Sequence, residues 1–206
     1  MDRLGKRAVF LDRDGVINEL VYYPEEGIVD SPFLPDQFSL IQGAGQALKR
    51  LSLLGFELVV ISNQPGVAKG RYSMQTFEAI QVKMANELRE FGVSLDKEYY
   101  CFHHPNAKLI EFRTRCSCRK PEPGLILQAA EECGISLSGS YLIGDGLVDV
   151  RAGRKAGCTT ILIGNANALL FRLMNQLQSE PEFLVGDISA AVDMIEKRVL
   201  SERDSA

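Results

Sequence analysis

Tryptophan is absent from this chain of 206 residues, and histidine occurs only twice, at the adjacent positions His103 and His104. Ten phenylalanines with no tryptophan point to an aliphatic and phenylalanine core. Positive charge is not in excess. The formal net charge of −4 excludes a global attraction to nucleic acid or to an acidic membrane surface. Long apolar runs are also missing: no stretch approaches the roughly 18 residues that a bilayer demands. The amino end lacks the apolar run of a secretory signal, so the cytoplasm is the expected location. Five cysteines cannot all pair in disulfides, and their clustering argues for another use. Neither internal repeats nor low-complexity tracts occur. A mass of 22.8 kDa suits a single domain spanning 1–206.

What is present alternates short apolar runs with amphipathic segments. That pattern predicts a Rossmann-like, three-layer α/β fold, a mostly parallel sheet covered by helices. Strands are expected at Ala8–Leu11, Glu57–Ile61, Tyr99–Phe102, Ser140–Ile143, Thr159–Ile163 and Phe183–Val185. Helices are expected at Ala44–Leu54, Thr76–Phe91, Gly124–Cys133, Asp149–Ala156, Ala168–Gln178 and Ile188–Lys197, with Asp149 and Asp187 as caps. Leu20–Gln42, which contains Tyr22, Tyr23 and three prolines, reads as a long loop or small excursion. His103–Pro123 is a second, charged interruption. Neither is long enough to hold its own core, so no separate cap domain is expected. The polar tail Ser201–Ala206 is expected to fray.

The chemistry gathers at strand ends. Asp12-Arg13-Asp14-Gly15 follows the first strand, and two carboxylates beside a glycine suit a magnesium and phosphate site. Ser62-Asn63-Gln64-Pro65-Gly66 follows the second, and Gly144-Asp145-Gly146 the fourth, with Asp149 four residues beyond Asp145. Lys120 lies in the loop before the helix at Gly124. An aspartate can attack phosphorus when a divalent ion screens the repulsion between anions. Asp12 and Asp145 can hold that ion, helped by a backbone carbonyl near Asp14. Ser62 and free amides can take phosphoryl oxygens, while Lys120 neutralises charge in the transition state.

Cys101 and His103 form a C-x-H pair, and Cys116 and Cys118 form a C-x-C pair thirteen residues after His103. Three thiolates and an imidazole make a closed tetrahedral zinc site with no place left for water, hence a structural one. Arg113, Arg115, Arg119 and Lys120 are close enough in sequence to offset the thiolate charge. Cys133 and Cys158 read as packing residues.

These segments together resemble the four motifs of haloacid dehalogenase superfamily phosphatases. Val60 to Gly70 and Cys101 to Gly124 resemble, more narrowly, the heptose 1,7-bisphosphate 7-phosphatase family, and the similarity runs from about Ala8 to Leu162. The resemblance implies a haloacid dehalogenase-like fold and a magnesium-dependent phosphomonoesterase acting on a small phosphorylated sugar. It makes Asp12 the nucleophile and Asp14 the acid/base, and gathers magnesium on Asp12, Asp14 and Asp145. It places substrate contacts on Ser62, Asn63, Gln64, Arg119 and Lys120, and it implies a monomer. The chain departs from the family pattern at Pro65, commonly serine, at Gly146, often lysine, and in the length of Leu20–Gln42. Lys69, Arg71 and Arg119 are available for a second phosphate, with surface salt bridges the alternative for Lys69 and Arg71. Histidinol phosphate is the competing substrate, and a zinc-stabilised binder of nucleic-acid ends the competing class; the acidic balance disfavours the latter.

Overall fold

The computed structural model describes residues 5–204. Its sheet has six strands in the order β5-β4-β1-β6-β7-β8: β1 (Ala8–Leu11), β4 (Glu57–Asn63), β5 (Lys97–Cys101), β6 (Tyr141–Gly144), β7 (Thr159–Ile163) and β8 (Phe183–Val185). All five pairings within it are parallel. β1 lies at the centre, with Phe10 level with Val59 on one side and Leu142 on the other.

A central parallel strand is covered on both faces, so its residues are apolar throughout. β1 shows this: Val9 and Leu11 point into one core, Ala8 and Phe10 into the other. The first core packs under α1 (Ala44–Leu53), α2 (Met74–Glu90) and α6 (Ile188–Asp204), through side chains such as Leu48, Met84 and Ile195. The second packs under α3 (Gly124–Cys133) and α4 (Leu147–Ala156), through Ile126 and Ala152. Cys133 and Cys158 belong to this second core, as expected of packing residues. A short α5 (Ala168–Leu177) seats Met174 against Val150 and Leu162. No helix among the described residues is long and apolar enough to cross a membrane.

Several boundaries move for identifiable reasons. β4 runs on through Ser62 and Asn63, because both pair with β5 at Tyr100 and Cys101. α2 begins at Met74, since the Ser73 hydroxyl accepts from the Thr76 N–H at 3.0 Å and caps the helix. Asp187 caps α6 as expected, accepting from Ala190 N–H at 2.8 Å. Asp149 contributes to the cap of α4 from inside the helix rather than from the N-cap position. It is the third residue of α4, its Oδ2 reaching back to the Gly146 N–H at 3.1 Å. The tail expected to fray is helical through Asp204, while residues 205–206 lie outside the described residues.

The Leu20–Gln42 excursion contains an antiparallel hairpin, β2 (Val21–Tyr23) with β3 (Ile28–Asp30). Tyr23 anchors it: its hydroxyl donates to the Ser31 carbonyl at 3.0 Å, and its ring stacks on Phe33 with centroids 4.1 Å apart. Arg71 reaches across to Glu26 in the hairpin turn at 2.5 Å.

Candidate active site

Asp12 and Asp14 follow β1, Ser62 and Asn63 end β4, and Asp145 follows β6, so three adjacent strands deliver their carboxyl ends to one cleft. The chain leaves β1 toward β4 and returns on the other side at β6, and such a reversal opens a crevice. The cleft has a volume of about 230 Å³, floored by Asp12, Asp14, Ser62, Asn63 and Asp145, with Arg119 at its side. Pro65, with Leu20, Val29, Asp30 and Ser31 of the hairpin segment, completes the lining. Gly15 permits the approach of the two acidic turns. Its φ is +81°, and a Cβ there would lie 2.1 Å from Oδ2 of Asp145.

Lys120 is buried beneath this floor. Its ammonium lies 2.9 Å from Asp12 Oδ2 and 2.5 Å from Asp149 Oδ1, and donates to the Ile61 carbonyl at 2.8 Å. Asn63 fixes the loop that carries it: the side-chain amide donates to the Lys120 carbonyl at 3.1 Å and accepts from its N–H at 3.0 Å. Burial opposes charge on Lys120, but Asp12 and Asp149 outweigh it and hold the ammonium above its ordinary value.

One ammonium faces three acids. Carboxylate oxygens of Asp12, Asp145 and Asp149 all lie within 4.8 Å of one another. Crowding of the Asp145 carboxyl by these neighbours, with the charges of Asp12 and Asp149, pushes it up to about 7, although the residue as a whole is exposed to solvent, which tempers the shift. Asp149 is pushed up to about 6, chiefly by burial, against the pull of Lys120. Converging oxygen donors short of positive charge suit a hard divalent cation.

Asp12, Ser62, Asn63, Arg119, Lys120 and Asp145 are thus brought together, while the side chains of Asp14 and Gln64 turn elsewhere. The Asp14 side chain is not among the converging carboxylates. It is turned into Arg13, Asn18 and Gln64, so only its backbone is left for a metal. Gln64 does not line the cleft: it is fully buried, its side chain bonds Asp14, Arg13, Ser62 and Tyr72, and its N–H donates to the Cys101 carbonyl. Sequence reasoning missed Arg13, whose charge between two working carboxylates was the available signal. It also missed Asp30 and Ser31, which had none. Arg71 takes the salt-bridge alternative, through Glu26.

Cys101, His103, Cys116 and Cys118 form a second centre. The contacts among their sulfurs and the His103 Nδ1 run from 3.0 to 3.8 Å, and none of the cysteines is in a disulfide. A tetrahedral zinc with bonds of about 2.3 Å to sulfur would set its ligands roughly 3.8 Å apart, so the four groups fit that ion after slight expansion. The centre adjoins the cleft, since Arg119 donates to the His103 carbonyl at 3.2 Å. His104 accepts from the Asn106 N–H at 3.0 Å; burial, with the nearby charges of Arg119 and Lys69, holds its pKa below the usual value.

Known proteins resemble this chain in sequence and in fold. A HAD-hydrolase-like family model matches residues 117–191. The chain is 40% identical over 153 residues to the D-glycero-beta-D-manno-heptose-1,7-bisphosphate 7-phosphatase of Escherichia coli (strain K12), covering 74% of this chain and 76% of that protein. It is 40% identical over 168 residues to the protein of that name from Haemophilus ducreyi, covering 81% and 87% respectively. The crystal structure of D,D-heptose 1,7-bisphosphate phosphatase from B. bronchiseptica, complexed with magnesium and phosphate, matches with a TM-score of 0.75 at 29% identity. That match covers 93% of this chain and 99% of that one. The parallel sheet and its strand-end acids are those of a haloacid dehalogenase-type phosphatase. Within that superfamily, the chain belongs to the family of the heptose-1,7-bisphosphate 7-phosphatases.

Proposed function

We propose that this chain is a magnesium-dependent phosphomonoesterase that removes the C7 phosphate of D-glycero-D-manno-heptose 1,7-bisphosphate. The product, heptose 1-phosphate, would feed nucleotide-activated heptose and lipopolysaccharide biosynthesis in the cytoplasm. The observation that carries this reading is the convergence of Asp12, Asp145 and Lys120 at the carboxyl ends of neighbouring strands, beside Ser62.

Asp12 and Asp145 would hold magnesium with the backbone near Asp14, Asp149 backing them. The ion would screen repulsion between the Asp12 carboxylate and the phosphate. An Asp12 oxygen attacks phosphorus and the bond to the sugar oxygen breaks, giving an aspartyl phosphate, while Asp14 protonates the departing alkoxide. Water then attacks phosphorus, losing its proton to Asp14, and phosphate leaves as the Asp12 carboxylate is restored. Gln64 donates to Ser62 Oγ at 3.2 Å, which leaves the hydroxyl proton for a phosphoryl oxygen. Lys120 holds Asp12 and offsets the charge that develops. Zinc at Cys101, His103, Cys116 and Cys118 would staple the loop that presents Arg119 and Lys120. We read 1–206 as one domain without a separate cap, monomeric, and with no nucleic-acid or membrane partner.

Arg119 supplies the test. If it grips the remote C1 phosphate, the wild type should prefer the 1,7-bisphosphate to the 7-monophosphate. Arg119→Ala should then cost more on the bisphosphate, by about 1.5–3 kcal/mol, or roughly ten- to hundredfold in kcat/KM. Equal losses on both would remove Arg119 from remote-phosphate recognition. Asp12→Asn should abolish turnover while leaving the fold intact. One observation favours histidinol phosphate as a second reading: Asp30 puts a carboxylate on the cleft wall, where a cationic amine would be welcome. Preference for that substrate over every sugar bisphosphate, in the same assay, would decide for it.

A further inference from the structure

Arg13 is the largest fully buried side chain described, yet it is charged, and no step above uses it. It enters the molecule directly after Asp12 and turns back on Asp14. Its Nε lies 3.2 Å from Asp14 Oδ1, and one terminal nitrogen lies 2.9 Å from Oδ1 and 3.1 Å from Oδ2. The other terminal nitrogen donates to Gln81 of α2 at 2.7 Å, and the guanidinium sits over the Phe77 ring at 5.8 Å. Arg13 is therefore tied to α2 at one end and to Asp14 at the other.

Gln64 completes the arrangement from β4. Its side-chain oxygen accepts from Arg13 at 3.0 Å and Tyr72 at 3.1 Å, which leaves its nitrogen to donate to Asp14 Oδ2 at 2.6 Å. Asn18 adds a donor to Oδ1 at 3.0 Å. Three side chains thus set the plane of one carboxylate. Its remaining 13% exposure is the opening onto the cleft. A buried cation whose ion pair is made with one reactive carboxylate does little for stability that an apolar residue could not do.

We propose that Arg13 and Gln64 are positioning residues that fix the Asp14 carboxylate for proton transfer, a role that rests on the acid/base reading of Asp14 given above. Neither touches the substrate. Both act by removing the rotational freedom of Asp14. Gln64 also bonds Ser62, whereas among the described residues the Arg13 side chain bonds only Asp14, Gln64 and Gln81. The loss of Arg13 should therefore be felt only in steps where Asp14 handles a proton.

An activated aryl ester separates those steps. 2,4-Dinitrophenyl phosphate releases a phenolate that needs no proton, so formation of the aspartyl phosphate bypasses Asp14, whereas its hydrolysis does not. Arg13→Lys keeps the charge but loses the planar fork. In stopped-flow kinetics with magnesium, this variant should keep a stoichiometric burst of dinitrophenolate while its steady-state rate falls about tenfold or more. Arg13→Gln, which keeps a donor without the charge or the fork, should give the same signature and carries the test if Arg13→Lys does not fold. In an Asp14→Asn background either change should cost nothing further, because no acid/base remains to be positioned. A steady-state rate within about twofold of wild type would overturn the proposal. So would a burst that falls in proportion to the steady state, or additive losses in the double variant. If wild type hydrolyses no phosphomonoester at all, the reading of Asp14 itself fails, and this role fails with it.

Discussion

Lys120 shows how much one side chain decides in this cleft. It is 3% exposed and, among the described residues, is the cation in contact with both Asp12 and Asp149. Removing one partner of a buried ion pair leaves the other uncompensated, which costs about 3–5 kcal/mol. Lys120→Met should therefore lower unfolding stability by about that amount in metal-free buffer and abolish turnover. Magnesium should recover part of the stability and none of the activity. A loss below about 1 kcal/mol in denaturant titration would show that the ammonium is not the counter-charge of the floor. At this scale the sequence disclosed Asp12, Ser62 and Asp145, because each stands where an apolar strand run ends, and Lys120 from the loop before α3. It did not disclose which way polar side chains turn. Asp14 and Gln64 have the residue types of metal ligand and substrate contact, but both face inward on Arg13. Asp149 looked like the N-cap residue because helix onset is read from polar residues, but the helix starts two residues earlier at Leu147, with Gly146 at the N-cap.

Among the elements, the central strands were legible nearly to the residue, since apolar runs covered on both faces leave little ambiguity. The edges were not. β5 begins at exposed Lys97 and Glu98, where an edge strand can carry charge without loss, and α6 continues because Val199 extends its buried stripe past the polar Lys197-Arg198 pair. The β2–β3 hairpin was hidden by its brevity: three residues a strand, half-buried, flanked by prolines. The cysteine loop, in contrast, was legible from spacing, because four ligand-type residues stand out in a stretch with little apolar content, and the structure brings them together. Cys116→Ser should release zinc and loosen residues 106–120, and since Asn63 and Arg119 tie that loop to the cleft, activity should fall together with thermal stability. Wild-type protein purified reduced and without chelator should contain one zinc per chain by elemental analysis. Zinc absent from that preparation, or a Cys116→Ser variant as stable as wild type, would refute the stapling role.

Over the whole molecule, the cleft and the surface respond to pH with opposite signs. Glu182 represents the surface: burial works against its ionisation, but the Thr160 hydroxyl and N–H outweigh it and hold the carboxyl below its ordinary value. Its contribution is present at neutral pH and lost as pH falls through the folded pKa. The floor runs the other way. A carboxyl whose folded pKa is raised binds its proton more tightly when folded, so its contribution is present at low pH and lost as pH rises. With Asp145 pushed up to about 7 and Asp149 to about 6, metal-free protein should lose stability from the ordinary carboxylate range up through neutrality. A divalent ion replaces those protons and removes the penalty. Saturating magnesium should therefore raise the melting temperature more at about pH 7.5 than at about pH 5.5, where protons compete for the same oxygens. Asp145→Asn should flatten the metal-free profile and shrink the magnesium effect. Equal magnesium-induced shifts at both pH values, measured by calorimetry on chelator-treated protein that retains its zinc, would place the divalent ion away from the strand-end acids. The lone Lys120 would then have to balance the floor by itself.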